Sequence, residues 1–193
     1  MHKYNKQGDY LERVYEMNGL FLSFLCHQAK ARRDCLGLPL ESVELMAAAS
    51  QSVLDQAAAL PQALFALNPG DHRAAESLSV SNSAERHGLQ SLQQAILLSA
   101  CQISRECPHL ARTFLGISTT TLLTLRSMAL SDMCEMAQAK LIVSCSFEAS
   151  PWFWRELMSA SSDAYRQRLQ LVSLQPRFDA MSKPIPAEPE RYA

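Results

Sequence analysis

Residues 36–67 read LGLPLESVELMAAASQSVLDQAAALPQALFAL, and residues 115–146 read LGISTTTLLTLRSMALSDMCEMAQAKLIVSCS. The two stretches align without gaps at an offset of 79 positions. Leu36-Gly37 falls on Leu115-Gly116, Val43 on Leu122, Met46 on Leu125, Ala49 on Met128, Ser52 on Ser131, Leu54 on Met133, Ala58 on Ala137 and Leu64 on Val143. The shared register runs through a Gly-containing break, two helix-period patterns, a serine and a short apolar run, which predicts an internal duplication. Each copy is expected to hold a helix (Val43, Met46 and Ala49 inward; Leu122, Leu125 and Met128 in the second copy). A short second helix follows, with Val53, Leu54, Ala57 and Ala58 in one copy and Met133, Met136 and Ala137 in the other. A strand closes each, at Ala63–Leu67 and Leu141–Phe147. Ser50 or Ser52 caps the short helix of the first copy; Ser118 and Ser131 cap the helices of the second.

Working outward, a longer amphipathic helix precedes each copy. Tyr10–Lys30 places Leu11, Val14, Tyr15, Leu20, Phe21, Phe24 and Leu25 at helical spacing, and Leu89–Cys107 does so with Leu89, Leu92, Ile96, Leu97, Ala100 and Ile103. Residues 70–88 are polar and read as a linker. After the second strand, Ser150-Pro151 is a strong helix start, with Ser as cap and Pro in the first turn. Trp152, Phe153, Trp154 and Leu157 follow, then the break at Met158–Asp163 and a last helix from Ala164 to about Ser173, an arrangement compatible with a helix-turn-helix. Trp152 and Trp154 face different directions on a helix, so either both are packed or one is left for a partner. Residues 176–193 carry Pro176, Pro184, Pro186 and Pro189 and read as an extended tail.

Composition narrows the function classes. Apolar residues make up 48% of the 193, normal for a globular chain. With 18 basic and 19 acidic residues the net charge is −1, so any contact with nucleic acid or membrane has to be a local patch. No apolar run approaches the ~20 residues of a membrane span, and the polar start does not resemble a secretory signal. The cysteines, Cys26, Cys35, Cys101, Cys107, Cys134 and Cys145, include no C-x-x-C pair and are read as reduced thiols, which points to the cytoplasm and to no metal in this chain. Phosphate-cradling, Walker, H-E-x-x-H and G-x-S-x-G patterns are absent and His2, His27, His72, His87 and His109 are scattered, so no enzyme and no catalytic residue is expected.

A set of residues in the second copy resembles the FlhD family, a subunit of the flagellar master regulator. These are Leu97-Leu98 and Ala100, Leu115-Gly116-Ile117, Leu130, Met133 and Ala137, then Leu141 and Phe147. In the first copy, Tyr15-Glu16-Met17-Asn18 matches a Tyr-acid-x-Asn motif of the same family, and Leu36-Gly37-Leu38 falls at the distance expected from it. The resemblance implies a mainly α fold of two FlhD-like helical units, 1–69 and 89–175, joined by the linker 70–88. One short β-strand from each unit would pair to form a pseudo-dimer, and 151–175 would add a C-terminal helix-turn-helix-like segment. It also implies a cytoplasmic transcriptional activator subunit, for flagellar or conjugative-transfer genes. Such a subunit acts with an FlhC-like protein, binds promoter DNA as part of that complex, and recruits RNA polymerase without membrane contact. Zinc is expected in the partner and no cofactor in this chain. The alternative is a helical adaptor or anti-activator that binds a regulator without contacting DNA.

Residues 155–183 carry Arg155, Arg166, Arg168, Arg177 and Lys183 against Glu156, Asp163 and Asp179, a local excess of cations suited to phosphates. Ser161 and Ser162, at the start of the last helix, are placed to donate to phosphate. With Gln170, placed by the resemblance, the expected DNA contacts are Arg155, Ser161, Ser162, Arg166, Arg168 and Gln170. The resemblance puts partner contacts just before each Leu-Gly, at Arg33 and Asp34 and at Arg112 and Phe114, with Lys140 added. Lys30-Ala31-Arg32-Arg33 is either a phosphate patch or a helix C-terminus whose cations suit the dipole.

Overall fold

The computed structural model describes residues 6–69, 83–139, 141–147, 150–159 and 169. Among these, the elements in chain order are α1 (Lys6–Lys30), α2 (Leu40–Ala48), α3 (Gln51–Ala58), β1 (Phe65–Leu67), α4 (Ser83–Glu106), α5 (Pro108–Leu115), α6 (Thr119–Ser127), α7 (Leu130–Ala139), β2 (Val143–Cys145) and α8 (Pro151–Ser159). The protein is mainly α-helical with one two-stranded sheet.

α1 packs on α2 and α3, and α4 packs on α5, α6 and α7. The two long helices run antiparallel against each other. Tyr10 and Arg13 near the start of α1 meet Glu106 at the end of α4, while Phe24 lies against Gly88 and Arg33 pairs with Glu85 near its start. Their apolar stripes make one continuous core, with Val14, Phe21, Leu22 and Leu25 of α1 and Ile96, Leu97 and Ala100 of α4 fully buried.

β1 and β2 pair antiparallel, with Phe65 opposite Cys145, Ala66 opposite Ser144 and Leu67 opposite Val143. Ser146 N–H donates to Leu64 C=O (2.9 Å) and Asn68 N–H to Ile142 C=O (3.0 Å), which lengthens the ladder by one position at each end. The strand alternation sends Phe65, Leu67, Val143 and Cys145 into the core and leaves Ala66 and Ser144 half-buried. So short a ribbon is marginal by itself; the helices on its buried face hold it. The ladder is centred on Ala66 opposite Ser144, 78 residues apart, one position short of the offset of the sequence repeat.

Two buried amides anchor the strands. Asn18, on α1, donates from Nδ2 toward the carbonyls of Ala58 (3.3 Å), Leu60 (3.1 Å) and Gln62 (2.9 Å), and its Oδ1 accepts from Leu64 N–H (2.9 Å). Gln93, on α4, donates to Ala137 C=O (2.9 Å) and accepts from Ile142 N–H (2.7 Å). Each amide thus ties the end of a short helix to the start of the following strand. Buried backbone groups in those turns need such partners.

The structure corrects several expectations. Residues 108–115 form a separate helix, α5, where a direct run into Leu115-Gly116 was expected. Pro108 suits its first turn, and Gly116 closes it with φ 63° in the left-handed region. α4 begins at Ser83, so part of the expected linker 70–88 is helix, its polar residues forming a solvent face. The remaining linker residues, 70–82, lie outside the described residues. Ser50 and Ser118 cap α3 and α6 as read, each accepting from the N–H three residues on. Ser131 is not a cap. It lies inside α7, and Asp132 accepts from Ala129 N–H (3.3 Å), the return half of a capping box. The regular strands are shorter than read, because only three residues on each side keep ladder geometry. Arg105 of α4 donates to the carbonyls of Arg126 (3.2 Å) and Met128, satisfying the end of α6.

α8 crosses to the other half of the chain and packs on α2 and α3. Phe153 stacks on Phe147 (centroids 4.0 Å apart, 27° between planes), and the Trp154 indole N–H donates to Ser146 C=O (3.1 Å). Trp154 is fully buried whereas Trp152 is 43% exposed, so the pair divides between core and surface. Of the expected helix 164–173 only Leu169 is described; it is helical and buried.

Candidate functional site

An open concave surface lies where α1 ends. α1 stops in a Schellman arrangement: Arg33 N–H donates to Gln28 C=O and Arg32 N–H to Ala29 C=O, both at 3.0 Å. The residue in the left-handed position is Arg32, φ 53°, where glycine is the usual occupant. A tight turn follows, closed by Leu38 N–H to Cys35 C=O (3.0 Å), with Leu36 at φ 55° and Gly37 at φ 82°. Positive φ at both central positions matches a type I′ turn and makes Gly37 necessary there. Leu36 C=O then accepts from Cys145 N–H (2.7 Å), which fixes the turn to β2.

Between this loop, the end of α1 and α2 lies an open groove of about 940 Å³. Ala29, Leu38, Val43 and Ala47 give it an apolar lining; Lys30, Arg32, Arg33, Asp34 and Glu44 supply its charges. Leu40, 88% exposed, stands at its edge. Two expected partner residues, Arg33 and Asp34, therefore share one groove. Arg33 is half-buried and pairs with Glu85 (3.6 Å), while Asp34 is exposed. Arg32 belongs to the Lys30–Arg33 run that the sequence offers as a phosphate patch or a helix C-terminus, whereas Leu40 carries no sequence signal and becomes conspicuous only through its exposure.

The other expected contacts fare differently. Phe114 lies on the buried side of α5. It is 8% exposed and packs in the core, and its carbonyl accepts from Ala63 N–H (2.7 Å). Arg112, the counterpart of Arg33 at the 79-residue offset, is half-buried, and its Nε has no hydrogen-bond partner among the described residues. Arg155 is exposed on α8. Lys140, Ser161, Ser162, Arg166, Arg168 and Gln170 lie outside the described residues.

Burial pushes the Cys35 thiol up to about 11, with the Asp34 charge adding to the shift. Burial does the same to Cys101, also to about 11, against the opposing pull of Arg105. Both thiols stay protonated and weakly nucleophilic at neutral pH. Among the described residues no group of three or more His, Cys, Asp or Glu side chains is placed to hold a metal ion, and no helix is long and apolar enough to cross a membrane.

Compared with protein-family models, with characterised proteins and with solved structures, the chain matches none.

Proposed function

We propose that the chain is a transcriptional activator subunit built from two FlhD-like units in tandem. It acts with an FlhC-like, zinc-containing partner to bind promoter DNA and recruit RNA polymerase. The observation that carries this reading is the antiparallel β1–β2 ladder, which pairs the corresponding strands of the two repeats. Asn18 and Gln93 add support: the second unit has no Tyr-acid-x-Asn motif, yet Gln93 performs the same bridging from its own long helix. Fusing two units makes their pairing intramolecular and removes its concentration dependence. The groove beside Arg33 and Asp34 is where the FlhC-like protein docks, and the cations from Arg155 onward contact phosphate.

The adaptor reading keeps one specific support: α8 packs its aromatic face onto α2 and α3 and so works as a core element. A gel-shift titration of promoter DNA with the reconstituted complex separates the two. Substituting Arg166 and Arg168 by Ala is expected to weaken binding and flatten its salt dependence while leaving assembly intact. Unchanged affinity across several salt concentrations removes the DNA role and leaves the adaptor.

A further inference from the structure

Two residues of the groove at the end of α1 sit in positions that folding alone does not favour. Arg32 takes φ 53° in the turn that closes α1, where glycine would carry no strain, and it is exposed at the groove. Leu40 opens α2 and is 88% exposed, more than any other large apolar side chain among the described residues. Along α2 the groove is lined by Leu40, Val43, Ala47 and Ala48, a stripe at helical spacing that covers about 12 Å of helix. The rest of α2 is engaged: Ser42 and Met46 are buried, and α1 and α8 pack on the helix. Charges flank the apolar stripe. Lys30 and Arg32 at the end of α1, Asp34 on the loop and Glu44 on α2 make no ion pair among the described residues, whereas Arg33 is held by Glu85.

We propose that the groove takes an amphipathic helix of the partner protein, laid along the α2 stripe, with its apolar face on Leu40 and Val43 and a carboxylate on the flank that meets Lys30 and Arg32. The proposal rests on the reading of this groove as the partner's docking site; it adds the element that enters and the two residues, Arg32 and Leu40, that hold it. A groove bounded by the end of one helix and the face of another accepts a helix through side chains at i, i+3, i+4 and i+7. Ala47 and Ala48, at the far end of the stripe, are small enough for a second helix to come close. The charges select the occupant. An acidic flank meets the two unpaired cations, and a cation on the other flank meets Glu44. A guanidinium grips a carboxylate through two parallel hydrogen bonds, which gives arginine a use at a position where glycine would fold with less strain.

The test titrates the full chain with the FlhC-like protein by isothermal calorimetry. Arg32→Gly keeps the left-handed turn and removes the guanidinium. Leu40→Asp removes the apolar anchor and puts a carboxylate in the first turn of α2, where the helix dipole favours it. Circular dichroism checks that both variants keep the helical fold. Each is expected to weaken binding about tenfold or more, while Leu123→Asp, at an exposed leucine of α6 outside the groove, binds as the parent chain does. Hydrogen exchange of the complex is expected to protect one partner segment with apolar residues at helical spacing and acidic residues on one flank. Binding indifferent to both groove variants overturns the proposal and leaves the activator reading standing, as does an equal loss in Leu123→Asp or a protected partner segment that is extended or lacks acidic residues. A concentration-dependent dimer of the chain alone, dissolved by Leu40→Asp, assigns the groove to a second copy and equally overturns it. Absence of binding by the parent chain is the separate outcome that fails the activator reading itself, and the proposal with it.

Discussion

The chain approaches its two Leu-Gly turns by different routes. Before Leu36-Gly37, α1 ends at Lys30, Arg32 takes a left-handed conformation, and an irregular loop leads into α2. Before Leu115-Gly116, α4 ends at Glu106 and Pro108 immediately starts α5, whose left-handed cap is a glycine. Downstream of both turns the elements agree: a helix, a short helix capped or braced at its start, and a strand tied to the preceding long helix by a buried amide. The difference teaches where such a fold is free to change. Strand pairing and core packing constrain everything after the turn, because a slip there exposes apolar side chains. The approach to the turn lies at the margin of the core, and one route leaves a groove where the other builds a helix.

The two amides offer the largest effect with which to break this comparison. Asn18→Ala leaves up to three carbonyls and one N–H buried without partners and is expected to cost about 3–5 kcal/mol. Gln93→Ala loses its bonds to Ala137 C=O and Ile142 N–H and is expected to cost about 2–3 kcal/mol. Urea-unfolding midpoints check the order; equal costs would show that the two ties are not graded by their bond count. The left-handed positions come next. Gly116→Ala is expected to destabilise by about 1–2 kcal/mol, since a Cβ is strained at φ 63°. Arg32→Gly is expected to stabilise by about 0.5–1 kcal/mol, because it removes such a strain from the other route. A loss of stability in Arg32→Gly would show that the guanidinium makes a contact that outweighs its backbone cost.

A pH series bears on both routes together. Cys35 and Cys101 have their pKa raised from 9.0 to about 11 by burial, so the folded state resists their ionisation. Their contribution is complete below about pH 9 and is lost as pH rises toward about 11. Thermal midpoints recorded from pH 8 to 11 are expected to hold to about pH 9 and then fall, less steeply in Cys35→Ala than in the parent chain when each is compared with its own value at pH 8. The smallest effect belongs to Arg33. Its pairing with Glu85 is partly exposed, and Arg33→Ala is expected to change stability by less than about 1 kcal/mol while weakening partner binding.

Much of the fold could be read before any coordinates. The helix periods, the Ser50 and Ser118 caps, the Pro151 start and the strand pairing depend on local pattern or on the repeat, and these are written in neighbouring residues. α5 carried its own signals, Pro108 at the start and Gly116 at the end, but eight residues between a long helix and a familiar Leu-Gly pair were absorbed into the turn. Ser131 was misread because serine suits a cap, while the group that braces the helix is the Asp132 carboxylate one residue later.

The candidate site was less legible. Arg33 and Asp34 came only through resemblance, and Phe114 looked available until its burial was known. Arg32 showed only as one cation of the Lys30–Arg33 run, and no local rule places arginine in the left-handed position where glycine fits best. The groove arises where separate segments dock, a tertiary property that spacing along the chain does not record.

The central claim is that one chain supplies both units of an FlhD-like pair and joins an FlhC-like protein. Light scattering after size-exclusion chromatography tests it most directly, on the chain alone and co-expressed with a candidate FlhC-like partner. The account predicts a 21.5 kDa monomer that becomes a stable complex when the partner is present. A homodimer that ignores the partner would contradict it.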